Sequence, residues 1–272
     1  MAGKYNDSKI NEDEAFFLGR NDLINRWGNI VSSWSMLPGL VGLWPMSSVQ
    51  RSTGNAYDIS GQARTLTYNG NPTYNIYNNF VPYIDFDGAG DYLSRADETD
   101  LDILGNEAIN AAAVQGLTFG CWANADAVAP SSFDGLIGKH LATGNQRSYC
   151  IHCFDANSKP YIAISSDGTA AAEIYAQSTA VAPTAGIWYF WVARFLPSTE
   201  LAFFENGVNV KSTVAGVPAT LFNSTAAFEI GRRNVAGSEF TGNVSLAFLS
   251  HQVFSNALIN AMFQQSRILF RV

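Results

Sequence analysis

Several groups of residues have types and spacings that can do chemistry. Cys150-Ile-His-Cys153 has the shape of half a zinc site, since Cys pairs at this spacing hold zinc when a second pair completes the tetrahedron. No second Cys pair follows, and a strand turns residues three apart to opposite faces. Together with Cys121 these are read as buried, reduced thiols. Asp85, Asp87 and Asp91 gather carboxylates of the kind calcium favours around Gly88-Ala-Gly90. The distal bidentate Glu of an EF-hand loop is missing, so a plain hairpin is the expectation. Glu98, Asp100 and Asp102 alternate as carboxylates on one strand face do, and glycoside hydrolysis uses carboxylate pairs; a solvated loop is expected instead. His140, His152 and His251 lie far apart, and no Ser or Cys nucleophile motif is visible. The expectation is a chain with no catalytic residue, no metal ligand and no cofactor, and no enzyme.

Binding chemistry is better represented. The stretch from Tyr68 to Tyr83 sets Tyr68, Tyr74 and Tyr77 among asparagines that include Asn75 and Asn78, with Pro72 interrupting it. Tyrosine rings stack on the apolar faces of sugars while neighbouring amides bond hydroxyls, and the same mixture suits a protein contact. These five residues are the candidates for carbohydrate binding, read as an ordered surface loop.

Such residues need a scaffold, and Gly186 to Val214 indicates which. Ile187, Tyr189, Trp191, Ala193 and Phe195 fall on one face of a strand and Trp188, Phe190 and Val192 on the other. A strand apolar on both faces is central in its sheet and covered on both sides. Leu201 to Glu205 and Val208 to Val214 flank Asn206-Gly207, a pair suited to the positive φ angles of a type I′ hairpin. Further strands are expected at Leu40–Met46, Leu117–Ala123, Gly135–His140, Ser148–Phe154, Tyr161–Ser165, Ala227–Gly231 and Gly242–Ser250, with polar turns such as Asp58-Ile-Ser-Gly61 between them. Ser255 caps a closing helix that buries Leu258, Ile259, Met262 and Phe263. The pattern predicts an all-β sandwich of two antiparallel sheets.

The 272 residues are 47% hydrophobic, enough for a large core, and the formal charge of -7 argues against nucleic acid, which requires concentrated Lys and Arg. No run is long enough to span a bilayer, and no apolar signal core follows Met1, so synthesis in a cytoplasm without membrane insertion is expected.

Ahead of the first strand, Asn11 or Asp13 can cap a helix that carries Phe16, Leu23, Ile30 and Leu37 at sevenfold spacing, with Trp27 and Trp34 between them, until Pro38-Gly39 ends it. This stripe packs either on its own sandwich or on another chain. Phe16, Leu23, Trp27, Ile30, Trp34 and Leu37 are therefore the candidate assembly interface, and residues 1–39 the candidate attachment segment.

Val41-Gly-Leu-Trp44, Asp58-Ile-Ser-Gly61, Asp85-Phe-Asp-Gly88, Leu117-Thr-Phe-Gly-Cys-Trp122, Gly186-Ile-Trp188, Asn206-Gly207, Ile230-Gly-Arg232 and Phe240-Thr-Gly242 stand in an order that resembles a laminin G-like domain of the concanavalin A-like lectin and glucanase superfamily. The resemblance runs from about Leu40 to the C-terminus. It implies a jelly-roll sandwich over residues 40–272, with the first and last strands close together. Where members often carry a calcium-binding Asp after the Phe-x-Gly piece, this chain has Ser245. A fold of this kind serves lectins, adhesion modules, glycosidases and structural parts alike. The helix added ahead of the domain and the missing signal point to a virion surface component of a phage or virus, such as a head decoration, head fibre or tail-associated protein. Its partners would be other virion proteins or further copies of itself, and surface glycans. A free-standing carbohydrate-binding module is the alternative, and a glycoside hydrolase the third.

Overall fold

The computed structural model describes residues 20–47, 54–103, 115–129, 133–180 and 182–272. Helix α1 (Arg20–Trp34) leads to β1 (Leu40–Trp44), β2 (Asn55–Ala56), β3 (Leu66–Asn69), β4 (Thr73–Tyr77), β5 (Val81–Asp87) and β6 (Tyr92–Arg95). Next come β7 (Gln115–Ala125), β8 (Asp134–Leu141), β9 (Gln146–Cys153), β10 (Tyr161–Ser165) and β11 (Glu173–Gln177). The central meander is β12 (Trp188–Leu196), β13 (Glu200–Glu205) and β14 (Val208–Thr213), followed by β15 (Phe228–Ile230), β16 (Thr241–Gln252) and helix α2 (Asn256–Phe270).

Two antiparallel sheets result. One runs β14-β13-β12-β7-β16-β5-β4 with β1 also on β16, and the other runs β11-β10-β9-β8-β15-β6-β3-β2. The first and last strands are thus direct neighbours, with Leu43 opposite Phe248 and Trp44 opposite Ala247. As its alternation predicts, β12 lies inside its sheet between β13 and β7. Trp191, Ala193 and Phe195 face the core between the sheets. Trp188, Phe190 and Val192 face a second apolar layer on the outside. Asn206 (φ 51°) and Gly207 (φ 78°) make the β13–β14 turn with both residues left-handed. A Cβ at Gly207 would also lie 2.9 Å from Phe263 Cβ, so the turn is seated against α2.

The two helices form that second layer. Ser255 accepts from the Leu258 N–H at 3.1 Å and starts α2, as its cap chemistry predicts. Phe270 stacks on Trp122 with ring centroids 4.1 Å apart, and Ser266 Oγ accepts from Trp122 Nε1 at 3.1 Å. Helix α1 buries Leu23, Ile30 and Trp34 in the same layer, with Trp27 and Leu37 half-buried against it. Trp34 lies 5.7 Å from both Phe190 and Phe248, ring to ring. The expected assembly interface is corrected for these residues: the stripe covers the chain's own sheet, because the outer faces of β12 and β16 are apolar and need a cover. Phe16 and the caps at Asn11 and Asp13 lie outside the described residues, as does most of the Ala-rich segment from Gly105 onward. Among the described residues no helix is long and apolar enough to cross a membrane.

Two loop expectations are also corrected. The run from Tyr83 to Leu93 is not a hairpin: β5 pairs with β4 and β16 in one sheet, and β6 pairs with β3 and β15 in the other. Gly88 and Gly90, both at positive φ, carry the chain round this corner, and a Cβ at Gly88 would collide with Thr241. Nor is Tyr68 to Tyr83 a surface loop, since β3 and β4 lie in opposite sheets and the chain crosses between them at residues 70–72.

Candidate functional site

The crossing separates the five residues expected to hold a sugar. Tyr68 and Tyr74 pack against the inner core, while Tyr77 packs on the outer layer with its ring 5.8 Å from Trp188. Burial, then the neighbouring Tyr74, pushes the Tyr68 phenol up to about 12. Asn78 (φ 52°) and Asn79 (φ 67°) form the turn from β4 to β5, so Asn78 has a backbone role. Asn75 sits half-buried opposite Tyr83 on β5. No common platform faces outward from these residues.

The carboxylates singled out by spacing are also engaged. Glu98 bridges Arg64 and Arg95 at 3.1 and 2.8 Å, and Asp100 pairs with Arg64. Asp102 and Asp97 share the fully buried Lys139. Around Asp102 the chain is a 3-10 turn over Thr99–Leu101, in place of the solvated loop expected. Asp91 is 2% exposed and accepts from the Asn71 N–H at 2.7 Å, tying the sheet-switching corner to the crossing. Asp85 is pushed above the usual carboxylate range by burial and by Asp126, Asp91 and Asp87. Ser245 donates to the Pro82 carbonyl at 2.7 Å. No cluster of metal-ligating side chains occurs among the described residues.

Chemistry-bearing side chains do converge on the outer face of the other sheet, across β8, β9, β10 and β11. Gly138, Cys150, Ala163 and Tyr175 lie in one cross-strand row. The first three are small and leave a gap, across which His140 and His152 meet edge to face at 4.7 Å. His152 stacks on Tyr161 at 4.9 Å, and Tyr161 meets Tyr175 at 5.7 Å with the rings inclined by 65°. Glu173 ties the array together: one oxygen is 2.7 Å from His140 Nε2 and the other accepts from the Tyr175 hydroxyl at 2.9 Å, with Arg147 Nε 3.7 Å away. Opposite an ionised Glu173, His140 donates through Nε2.

This environment fixes the protonation states. Burial acts to raise the Glu173 carboxyl, but the bonds from His140 and Tyr175 and the charge of Arg147 bring it below its ordinary value of 4.5. Burial, His140 and Arg233 hold His152 well below 6.5, so it is neutral. Burial pushes the Cys150 and Cys153 thiols up, which makes them poor nucleophiles. The two tyrosines are pushed up by burial and keep their hydroxyl protons.

Beside this array, Tyr161, Tyr175, Phe133, Asp155 and Gln177 line an open cleft of about 280 Å³. Asp155 is anchored from its own turn: Oδ1 accepts the Asn157 and Lys159 N–H groups at 2.9 and 2.8 Å, and Oδ2 accepts from Gln177 Nε2. The cleft therefore presents aromatic walls set at a steep angle, with a fixed carboxylate and an amide beside them. Tyr175 is 46% exposed at its mouth. A larger cleft of about 490 Å³ between the helices is lined, among the described residues, by Asp22, Asn25, Arg26, Asn29, Ile30, Ser33 and Gln265, none of them aromatic.

Sequence reasoning missed this site. Its histidines are separated by 12 positions in the chain and meet only through register. Strand β11 went unread, although Glu173-Ile-Tyr-Ala-Gln177 alternates, with Ile174 and Ala176 on the core side. That alternation was the available signal.

No curated protein matches the chain in sequence. Among solved structures it is similar to the binding domain of Paraclostridial mosquitocidal protein 1, at 9% identity and TM-score 0.62, over 83% of this chain and 52% of that one. It is similar to a structure of botulinum neurotoxin type C, whose cell entry is dependent upon interaction with two ganglioside molecules, at 11% identity and TM-score 0.59, covering 87% and 52%. Domain 4 of AbnA, a GH43 extracellular arabinanase from Geobacillus stearothermophilus in complex with arabinotriose, matches at 13% identity and TM-score 0.57, covering 83% and 98%. The chain thus spans about half the length of the toxin domains and nearly all of the arabinanase domain. At these identities the likeness is one of fold. In sequence, a laminin G model described as the concanavalin A-like lectin/glucanases superfamily matches residues 87–260. That match covers more than half of the chain, which therefore belongs to the concanavalin A-like lectin/glucanases superfamily.

Proposed function

We propose that this protein is a non-catalytic, lectin-like binding module and that a sugar ring occupies the cleft that Tyr161 and Tyr175 line, against the exposed Tyr175 ring. The observation that carries the reading is the inclined tyrosine pair with Asp155 and Gln177 beside it in an open cleft. An aromatic wall takes the apolar face of a pyranose, while a fixed carboxylate and amide bond its hydroxyls. The cleft is slightly below the roughly 300–1,000 Å³ of typical small-molecule pockets, which suits one ring of a longer glycan. The similar arabinanase domain, in complex with arabinotriose, and the toxin binding domains support a binding role. Titration of the protein with neutral mono- and oligosaccharides, followed by NMR, tests it. Binding that disappears in Tyr175→Ala supports the reading, whereas binding unchanged in that variant, or none across the panel, overturns it.

A second reading, display on a virion, is favoured by one observation. Helix α1 and the turn after it leave Ile24 and Met36 exposed, at 45% and 75%, although Leu23, Ile30 and Trp34 are turned inward. Attachment would then use Ile24 and Met36, and multivalent display would strengthen weak individual sites. Co-sedimentation with particles that persists in an Ile24→Ser/Met36→Ser variant would overturn this mode of attachment.

A further inference from the structure

We infer that the Tyr161–Tyr175 cleft selects uncharged sugar rings and rejects anionic ones such as uronic and sialic acids. The inference rests on the binding role proposed above and adds the ligand class.

Among the described residues the cleft lining contains one charged side chain, the Asp155 carboxylate, beside Phe133, Tyr161, Tyr175 and Gln177. That carboxylate cannot turn away, because two backbone N–H groups hold Oδ1 and Gln177 holds Oδ2. A second carboxylate, Glu173, stands behind the wall, bonded to the Tyr175 hydroxyl. Carboxylates only accept hydrogen bonds, so the cleft suits ligands rich in hydroxyl donors. A ligand carboxylate brought beside Asp155 would meet a like charge in a partly desolvated site, which opposes binding.

The cations of this face are placed elsewhere. Arg147 lies 3.7 Å from Glu173, and Arg232 bonds Glu229 and covers the Tyr92 ring at 3.4 Å. Arg233, in the loop after β15, exerts its charge on Cys150, His152 and Tyr161 but does not line the cleft. Lys159, whose backbone N–H bonds Asp155, exerts its charge on Glu205, so Arg233 and Lys159 are the groups through which an anionic ligand would have to be held.

The experiment uses the full chain with matched pairs: the methyl glycosides of glucose, galactose and mannose, and the corresponding uronates, each titrated by NMR. Each pair keeps the ring and its hydroxyls and replaces the C6 hydroxymethyl group by a carboxylate. Binding of at least one neutral member, with its uronate at least tenfold weaker, is expected. The discrimination should shrink severalfold in Asp155→Asn, which retains the Oδ1 acceptor that anchors the turn. A uronate that binds as tightly as its neutral partner overturns the inference while leaving a sugar site standing, and loss of its binding in Arg233→Gln or Lys159→Gln identifies the cation that holds it. Discrimination that survives Asp155→Asn in full also overturns it. Absence of binding by every member removes the proposed sugar site and the inference with it.

Discussion

Tyr175 donates its hydroxyl to Glu173 at 2.9 Å, and the opposite oxygen of Glu173 lies 2.7 Å from His140. A half-exposed ring at the mouth of a cleft is thus held by a half-buried carboxylate whose other partner comes from a strand three positions away in the sheet. Fixing the ring before a ligand arrives lowers the ordering cost of binding.

Three variants separate the ring from its tether. Tyr175→Ala should weaken sugar binding about tenfold or more, equivalent to ~1.4 kcal/mol. Tyr175→Phe and Glu173→Gln keep the aromatic wall and should weaken it only a few-fold. Affinities measured by NMR titration check the order, and equal losses in all three would show that the tether, not the ring, matters.

Stability should fall with acid in two steps. His152 is held below its ordinary 6.5, so the unfolded chain takes up a proton that the folded chain refuses. Its contribution is complete above pH 6.5 and is lost as pH falls towards the folded value. Glu173 is held below 4.5, so its contribution is complete above that pH and is lost as pH falls through the folded value. Melting temperatures measured from pH 8 to pH 3, in steps of about half a unit, should decline from about 6.5 downward and more steeply below about 4.5. His152→Phe should flatten the upper arm alone.

Trp34→Ala should destabilise the protein by about 3–5 kcal/mol, since Trp34 is 1% exposed and packs on Phe190 and Phe248. Deleting residues 1–36 should expose that aromatic surface and give insoluble or dye-binding protein. A soluble truncated chain with an unchanged urea midpoint would show that the sheet needs no helical cover.

Lys139→Met should also be costly, by about 3–5 kcal/mol, because it leaves Asp97 and the 8% exposed Asp102 side chain facing each other without a cation. Adding Asp102→Leu should recover most of the loss, measured as the urea midpoint at pH 7. Recovery would show that the cost was uncompensated charge and not lost packing.

The residues themselves determined whatever depends on near neighbours. Two-faced alternation made β12 central, Asn206-Gly207 supplied the left-handed turn, and Ser255 capped the last helix, since period-two faces, positive φ and cap bonds are properties of a few consecutive residues. The tertiary structure decided what depends on register and cover. It placed Tyr68 and Tyr74 in opposite sheets, turned the α1 stripe inward and brought His140, His152, Tyr161, Tyr175 and Glu173 together. The physical reason lies in the row through Gly138, Cys150 and Ala163: only when three strands pair in that register do their small side chains line up and leave the gap that the larger neighbours close.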